Sequence, residues 1–370
     1  MSNGTTILLP VASDQQFMPL TNDNSYFQIV LYAAQAFVAL PWLSQAQQLI
    51  CSTEVSSTFL PDHYVRSIHK VETIRKNQPT SLGLSVALTD WMPALSDKTL
   101  RVAITLVAIR DKPFGKLTDI LGELDLASAL SLVAPQIVAG MKVASIAGKM
   151  LGTILEEGAD KHVLKLTADL PVHSMQSGYW AVIAPDVPND IPTALRLRPD
   201  GKLDDPRGVF SERNTFAILA ISARERRGEE AARTTAWWNL LQDGMAQLEQ
   251  LDEFSTNQER NDKRLLWLET VRRAKRIAHA DHSFLLSEIE EIIKRYTSKA
   301  LNLLKDSPRV GVHVPISGTV PFESATYNAL DPELQELLGV RDELELQAAV
   351  AAYEQALARS AAADSAGQHP

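Results

Sequence analysis

The sequence predicts an α+β protein, an antiparallel β-sandwich-like domain with an apolar helical insertion, followed by an α-helical unit. Three observations lead to this prediction. Apolar residues alternate with polar ones in several segments before residue 225, helical spacing begins after Arg226-Arg227-Gly228, and an uncharged stretch crosses the middle of the chain. Period-two alternation is typical of a sheet with one buried face, whereas three- and four-residue spacing is typical of a helix.

Composition sets the outer bounds. A chain of 370 residues suggests two domains or one elaborated domain. The net charge of −9 argues against general electrostatic binding to nucleic acid, so no nucleic-acid partner is expected. Cys51 is the only cysteine, which excludes an internal disulfide and a cysteine-rich zinc site. The N-terminus lacks the basic start of a signal peptide and no apolar run reaches membrane-spanning length, so we expect a cytoplasmic protein.

The first regular segments indicate strands. Residues 1–25 are polar and rich in turn formers, and we expect an extended arm there. Phe27–Leu40 starts with strand-like alternation and then becomes rich in alanine, so its second half fits a strand or a helix. Ser81–Pro93 and Thr99–Asp111 are firmer strands, and the short polar link between them predicts an antiparallel hairpin.

Four further strand segments follow the uncharged stretch and complete a sandwich-like domain over residues 26–225. They are His162–Val172, Gly178–Pro185, Ala194–Asp205 with a turn at Asp200-Gly201, and Asn214–Glu225. Helices do not alternate regularly with these strands, which favours an antiparallel sandwich or barrel over a parallel sheet.

The uncharged stretch, Leu126 to Leu155, predicts the helical insertion, which we place at residues 117–158. Its only charges are Lys142 and Lys149. Small residues recur at every fourth position, namely Gly140, Ala144, Gly148 and Gly152. A ridge of small residues lets another backbone approach closely. Three interpretations follow: helices that cover one face of the sheet, a segment that enters a membrane or binds a partner, and a contact between copies. The two lysines and the four small residues of this stretch are our candidate contact residues for a partner or a membrane.

Residues 229–304 predict an antiparallel unit of three helices, joined near Ser255–Asn257 and Asp281–Ser283. Trp237 and Trp238 point in different directions on the first of these helices. We expect one in the core and the other at a domain or subunit contact, which makes both candidate contact residues.

The C-terminal part, residues 309–360, predicts a short return strand at Arg309–Ile316 and a last helix that opens at Asp331-Pro332. The tail, residues 361–370, is small and polar, and we expect it to be disordered.

Motifs that would fix a reaction are absent from the sequence. Val143–Met150 resembles a phosphate-binding loop only in its Gly-Lys pair, because it lacks the earlier glycine and the following Ser or Thr. His279 and His282 flank Asp281, but two ligands without a third favour a surface role over a metal site. Loop aspartates offer oxygen ligands for calcium, but ordinary turn chemistry explains them more simply and is the favoured interpretation; these are Asp186, Asp190, Asp200, Asp204 and Asp205.

The densest basic cluster, Arg272, Arg273, Lys275 and Arg276, is interpreted as a solvated helix face, with Glu269 placed to pair with Arg273. No cofactor and no metal are expected. The leading hypothesis is a non-catalytic protein-binding or assembly protein with a protein partner or self-association. The second is a membrane-active protein that deploys residues 126–155. The third is an enzyme whose site is assembled from loop residues such as His63, His69 and Asp90.

Overall fold

The computed structural model describes residues 7–37, 47–57, 64–74, 79–110, 161–183, 194–198, 200–206, 208, 210, 214–251, 256–305, 330 and 332–367. The chain divides into two units, one of residues 1–224 with 363–370 and one of residues 225–362. The described strands belong to the first unit, and the second is helical, so the protein is α+β.

The first unit contains two sheets. In chain order the described strands are β1 Ile7–Ala12, β2 Tyr26–Ala36, β3 Gln47–Ser57, β4 Tyr64–Ile74, β5 Thr80–Ala87, β6 Met92–Pro93, β7 Thr99–Arg110, β8 Lys161–Pro171, β9 Gly178–Ile183, β10 Leu195–Leu197, β11 Leu203–Asp204 and β12 Phe216–Arg224. Eight of them form the first sheet in the order β11-β10-β1-β9-β12-β2-β5, with β6 also beside β2. The second sheet has the order β4-β3-β7-β8. The β1–β10 pair is parallel and the other described pairs are antiparallel.

The two sheets share one apolar core. From the first sheet, Phe27, Ile29 and Leu31 of β2 enter it, and from the second sheet Leu49 and Cys51 of β3 do so, all of them fully buried. Alternate residues of β7, β8 and β12 complete this core: Leu100, Val102, Ile104, Leu106, Leu166, Leu170, Leu219 and Ile221. Removal of this apolar surface from water is the main force that holds the two sheets together.

A bulge at Tyr32 changes which residues of β2 face this core. Ile218 of β12 pairs with Ala33, but the next residue, Leu219, pairs with Leu31, so Tyr32 is skipped. Odd-numbered residues face the core before the bulge, and Ala34 and Ala36 face it afterwards. Because an extra residue shifts every following side chain to the other face, the alternation in the sequence breaks here. The alanine-rich half of the segment is therefore strand as far as Ala36.

Two expectations for this unit are wrong. Ile7–Ala12 is not an arm, because it lies in the first sheet between β9 and β10. The expected hairpin does not form either: β5 pairs with β2 in the first sheet, whereas β7 pairs with β3 and β8 in the second. The reason is that β3, which the sequence analysis did not identify, occupies the edge of β7.

The second unit consists of helices. In chain order the described ones are α1 Glu229–Ala232, α2 Ala236–Leu248, α3 Asn257–Ala278, α4 Leu286–Lys305, α5 Pro332–Leu338 and α6 Glu343–Gly367. The connections between α2, α3 and α4 lie where the spacing predicts them. Thr256 and Glu259 form a capping box at the start of α3, in which each side chain accepts a hydrogen bond from the other residue's backbone N–H.

The C-terminal end differs from expectation. Residues 361–367, expected to be disordered, belong to α6, which ends at Gly367. Alanine has the highest helix propensity, and the segment Ala361–Ala363 continues a helix that is already formed. The predicted return strand, Arg309–Ile316, lies outside the described residues.

The packing around Cys51 predicts an unreactive thiol. The side chain is fully buried, and burial raises the pKa of this thiol to about 12. Because the thiolate is the reactive form, a thiol reagent at pH 8 should label Cys51 only when the sheets separate. Labelling with and without denaturant, followed by mass spectrometry, checks this. The C51A variant controls for labelling of other residues, and rapid stoichiometric labelling of the native protein would contradict the packing.

Candidate interaction surface

The predicted contact residues of the uncharged stretch lie outside the described residues. They are Gly140, Lys142, Ala144, Gly148, Lys149 and Gly152, and the sequence interpretations of residues 126–155 therefore stay as predictions.

Trp237 and Trp238 are both buried rather than one being exposed. Trp237 donates its indole N–H to Asp281 Oδ2 at 3.0 Å and packs edge-on against Phe284, with ring centroids 5.7 Å apart. Trp238 packs edge-on against Tyr296 at 5.0 Å. Both indoles therefore pack inside the helical unit, and the expected domain or subunit contact of one of them stays a prediction.

Three of the aspartates considered for metal binding are engaged in other ways. Asp281 accepts hydrogen bonds from Trp237 and from the backbone N–H and hydroxyl of Ser283. Arg198 lies 3.5 Å from Asp200 and 3.8 Å from Asp204. Among the described residues, no group of three or more histidine, cysteine, aspartate or glutamate side chains is placed to hold a metal ion. Asp186 and Asp190 lie outside them.

The residues considered for acid–base chemistry are tested only in part. Asp90 is exposed and its carboxylate accepts the backbone N–H of Trp91 at 2.8 Å, a local turn contact. His69 lies on β4 rather than in a loop. His63 and the side chain of His69 lie outside what the structure describes.

The most deeply buried charged group of the helical unit is Glu288, whose side chain is fully buried on α4. Its Oε2 accepts the backbone N–H of Arg227 at 3.1 Å, and its Oε1 accepts that of Gly228 at 2.9 Å. The hydroxyl of Tyr353 on α6 donates to Oε1 at 3.5 Å. Burial, and next the charge of Glu288, raise the pKa of Tyr353 well above its usual range, so this hydroxyl keeps its proton.

Further contacts hold the whole segment 225–228 against α4 and α6. Arg226 forms a bidentate pair with Glu291, with distances of 2.6 and 2.8 Å, and its backbone N–H donates to Ser360 Oγ. Arg359 pairs with Glu225 at 2.8 Å. Gly228 has a φ of +85°, in the region that favours glycine. The chain therefore enters the helical unit in one fixed conformation, and these polar groups are structural.

The inner face of α3 packs against the other helices and fixes its rotation. Trp267 is fully buried and donates its indole N–H to Thr297 Oγ1 of α4 at 3.3 Å. At one end, Arg260 donates to the carbonyl of Leu304, and at the other Lys275 donates to the carbonyl of Leu337 at 2.8 Å. Both carbonyls lie in the last turns of α4 and α5, where positive charge is favourable.

Away from this packed face, α3 exposes large apolar side chains: Leu265 is 45%, Leu266 is 37% and Ile277 is 40% exposed. Leu266 and Ile277 lie eleven residues apart, so they share one side of the helix and are separated by about 16 Å along it. Glu269 and Arg273 lie between them and are also exposed. We call these four residues, Leu266, Glu269, Arg273 and Ile277, the outer face of α3.

The charges of the outer face are available to a partner. The sequence suggested a pair between Glu269 and Arg273, but within the part of the chain that the structure describes neither forms an ion pair. Their neighbours differ: Arg272 lies 3.6 Å from Glu333, and Lys275 lies 3.6 Å from Glu290. The basic cluster is thus divided between residues that hold the unit together and residues that face solvent.

A shallow surface hollow, with a volume of only about 10 Å³, lies between the end of α3 and the start of α4. It is lined by Lys275, Ala278, His279, Leu286, Ile289 and Glu290. Lys275, one of these lining residues, already donates to the carbonyl of Leu337.

Comparison with known proteins gives little. No protein-family model matches the chain, and no curated protein does. One similar solved structure is a C2 domain of plant extended synaptotagmin 1, with 5% identity and a TM-score of 0.22, covering 55% of this chain and 98% of that domain. A likeness this slight carries no argument about fold or function. Every helix within the described ranges is either too short or too polar to span a bilayer.

Replacement of Glu288 tests the structural role of the buried carboxylate. In E288Q one oxygen becomes an amide N–H₂ group, which faces a backbone donor and leaves it without an acceptor. We expect the free energy of unfolding to fall by about 2 to 3 kcal/mol. Chemical denaturation followed by tryptophan fluorescence measures it. The matched control is E336Q, an exposed glutamate on α5, for which a change within about 0.5 kcal/mol is expected. Equal stability of E288Q and wild type would contradict this role.

Proposed function

We propose that this protein is a non-catalytic binding or assembly protein that contacts other protein chains through the outer face of α3. The observation that carries the proposal is the placement of Leu266 and Ile277. Scattered single apolar side chains on a surface are ordinary, but these two lie on one stripe of one helix. Apolar anchors in line along a helix are the usual means by which one helix recognises another.

The rigid support of α3 adds to this proposal. Its inner face is fixed by Trp267, Arg260 and Lys275. The outer face is therefore preorganised, and binding costs little conformational entropy of the helix. The outer face presents two apolar side chains with two exposed charged side chains between them, so a partner has to match both apolar groups and charges.

The insertion belongs to this proposal as well. We propose that residues 117–158 form a helical insertion in the sandwich-like domain and that the protein acts in the cytoplasm, since its composition and its single cysteine fit a reducing compartment. The membrane-active alternative rests on residues 126–155. Flotation of the full chain with anionic vesicles would replace the present proposal by that alternative.

Replacement of the two apolar residues tests the proposed contact. In L266K/I277K the two apolar positions become charged. We expect the full-length variant to capture at least tenfold less partner protein in cells than the wild type does. Quantitative proximity labelling measures the capture. Leu344, which is 77% exposed on α6, provides the matched control L344K. Capture that is lost in L344K and kept in L266K/I277K would contradict the proposal, and denaturation curves must show that both variants are folded.

A further inference from the structure

We infer that the outer face of α3 binds the same face of a second copy of this chain, antiparallel, about a two-fold axis near residue 271. The inference rests on the proposed function, since it names the partner of the same surface. A two-fold contact uses one patch twice, so the patch must be complementary to itself. The outer face of α3 has this property in both its apolar residues and its charges.

The apolar residues match first. In an antiparallel pair whose two-fold axis passes at the level of residue 271, a residue n positions before 271 in one copy lies level with the residue n positions after 271 in the other copy. Leu266 then lies within one residue of the level of the second copy's Ile277, a difference of about 1.5 Å along the helix. Each apolar side chain thus meets another, and both are removed from water.

The charges match in the same register. Glu269 and Arg273 are exposed and lie two residues on either side of the axis. Glu269 of one copy is therefore level with Arg273 of the other, and the two-fold axis creates this pair twice. No ion pair within the described part of the chain competes for either side chain. Partial removal from water strengthens such pairs relative to fully exposed ones.

Other occupants fit less well. A parallel pair of helices would place Glu269 against Glu269 and Arg273 against Arg273, which repel. An anionic membrane surface would meet the carboxylates of Asp262 and Glu269 together with the guanidinium groups of Arg273 and Arg276, which are exposed on the same side of α3, so charge gives it no net attraction. The alternation of one acidic and one basic residue between two apolar ones favours a second copy over both.

The size of the contact sets its strength. One pair of helices that touches over about three turns is at the low end of specific interfaces. The dimer is therefore reversible and depends on concentration, which makes it sensitive to a single change of charge.

Charge reversal in the full chain provides the test. The variants are E269R, R273E and the double variant E269R/R273E, measured by sedimentation equilibrium over a range of concentrations. We expect a concentration-dependent dimer for the wild type and at least tenfold weaker association for each single variant, because like charges then face each other. The double variant restores opposite charges and should associate within threefold of the wild type. R233E, a reversal at an exposed arginine outside the face, should leave association unchanged.

The outcomes separate this inference from the proposed function. A wild type that stays monomeric at all concentrations would overturn the inference, as would single variants that associate like the wild type. If the wild type is monomeric while L266K/I277K still loses captured protein, the proposed function stands and the second copy is not the partner. Near-ultraviolet circular dichroism confirms that each variant is folded.

Discussion

The rotation of α3 about its own axis is the constraint on which the proposed function depends. Trp267 anchors the centre of the helix through its hydrogen bond to Thr297, and Arg260 and Lys275 anchor its two ends through the last carbonyls of α4 and α5. A buried tryptophan and two cations at helix ends leave little freedom for rotation. Leu266 and Ile277 face solvent because other residues of α3 already fill its buried face.

The helical unit also depends on a second group of contacts, which hold its first residues, 225–228, against α4 and α6. A carboxylate in the interior is costly unless its oxygens accept hydrogen bonds, and those of Glu288 are engaged by two backbone donors and a tyrosine hydroxyl. Removal of the carboxylate would leave all three donors without this acceptor, so the group depends on Glu288. The sheets of the first unit depend on a different force, the common apolar core to which Cys51 and its neighbours contribute.

Much of the fold follows from periodicity, and its failures have physical causes. The α+β class and the positions of α2, α3 and α4 could be predicted because their apolar residues repeat at helical spacing over long segments. The second half of β2 could not, because the bulge at Tyr32 reverses the faces. The prediction of an extended arm was wrong because the strand Ile7–Ala12 is short and contains Pro10, which hides it in the sequence pattern. Strand β3 was missed because a run of serine, threonine and glutamate separates the apolar residues Leu49, Ile50 and Cys51 from Val55.

The interaction surface was only partly visible in the sequence. A helical wheel shows that Leu266 and Ile277 fall outside the buried stripe of Trp267, Val271, Ala274 and Ala278, and this signal was available. The sequence could not show which of the four neighbouring basic residues lack an intramolecular partner. Lys275 and Arg272 pair with residues of α4 and α5, which are distant in sequence. Local pairing rules favoured Glu269 with Arg273, and the structure leaves both side chains facing solvent instead.

The arrangement of two chains about α3 is tested most directly by a distance between them. A spin label at Gln258→Cys, an exposed position thirteen residues from the proposed axis, is specific because Cys51 is buried. Two antiparallel copies place these labels about 39 Å apart by the helical rise, whereas a parallel pair would place them about 10 Å apart. Double electron–electron resonance at high protein concentration should give the longer distance. The shorter distance, or no dipolar coupling at all, would contradict the account.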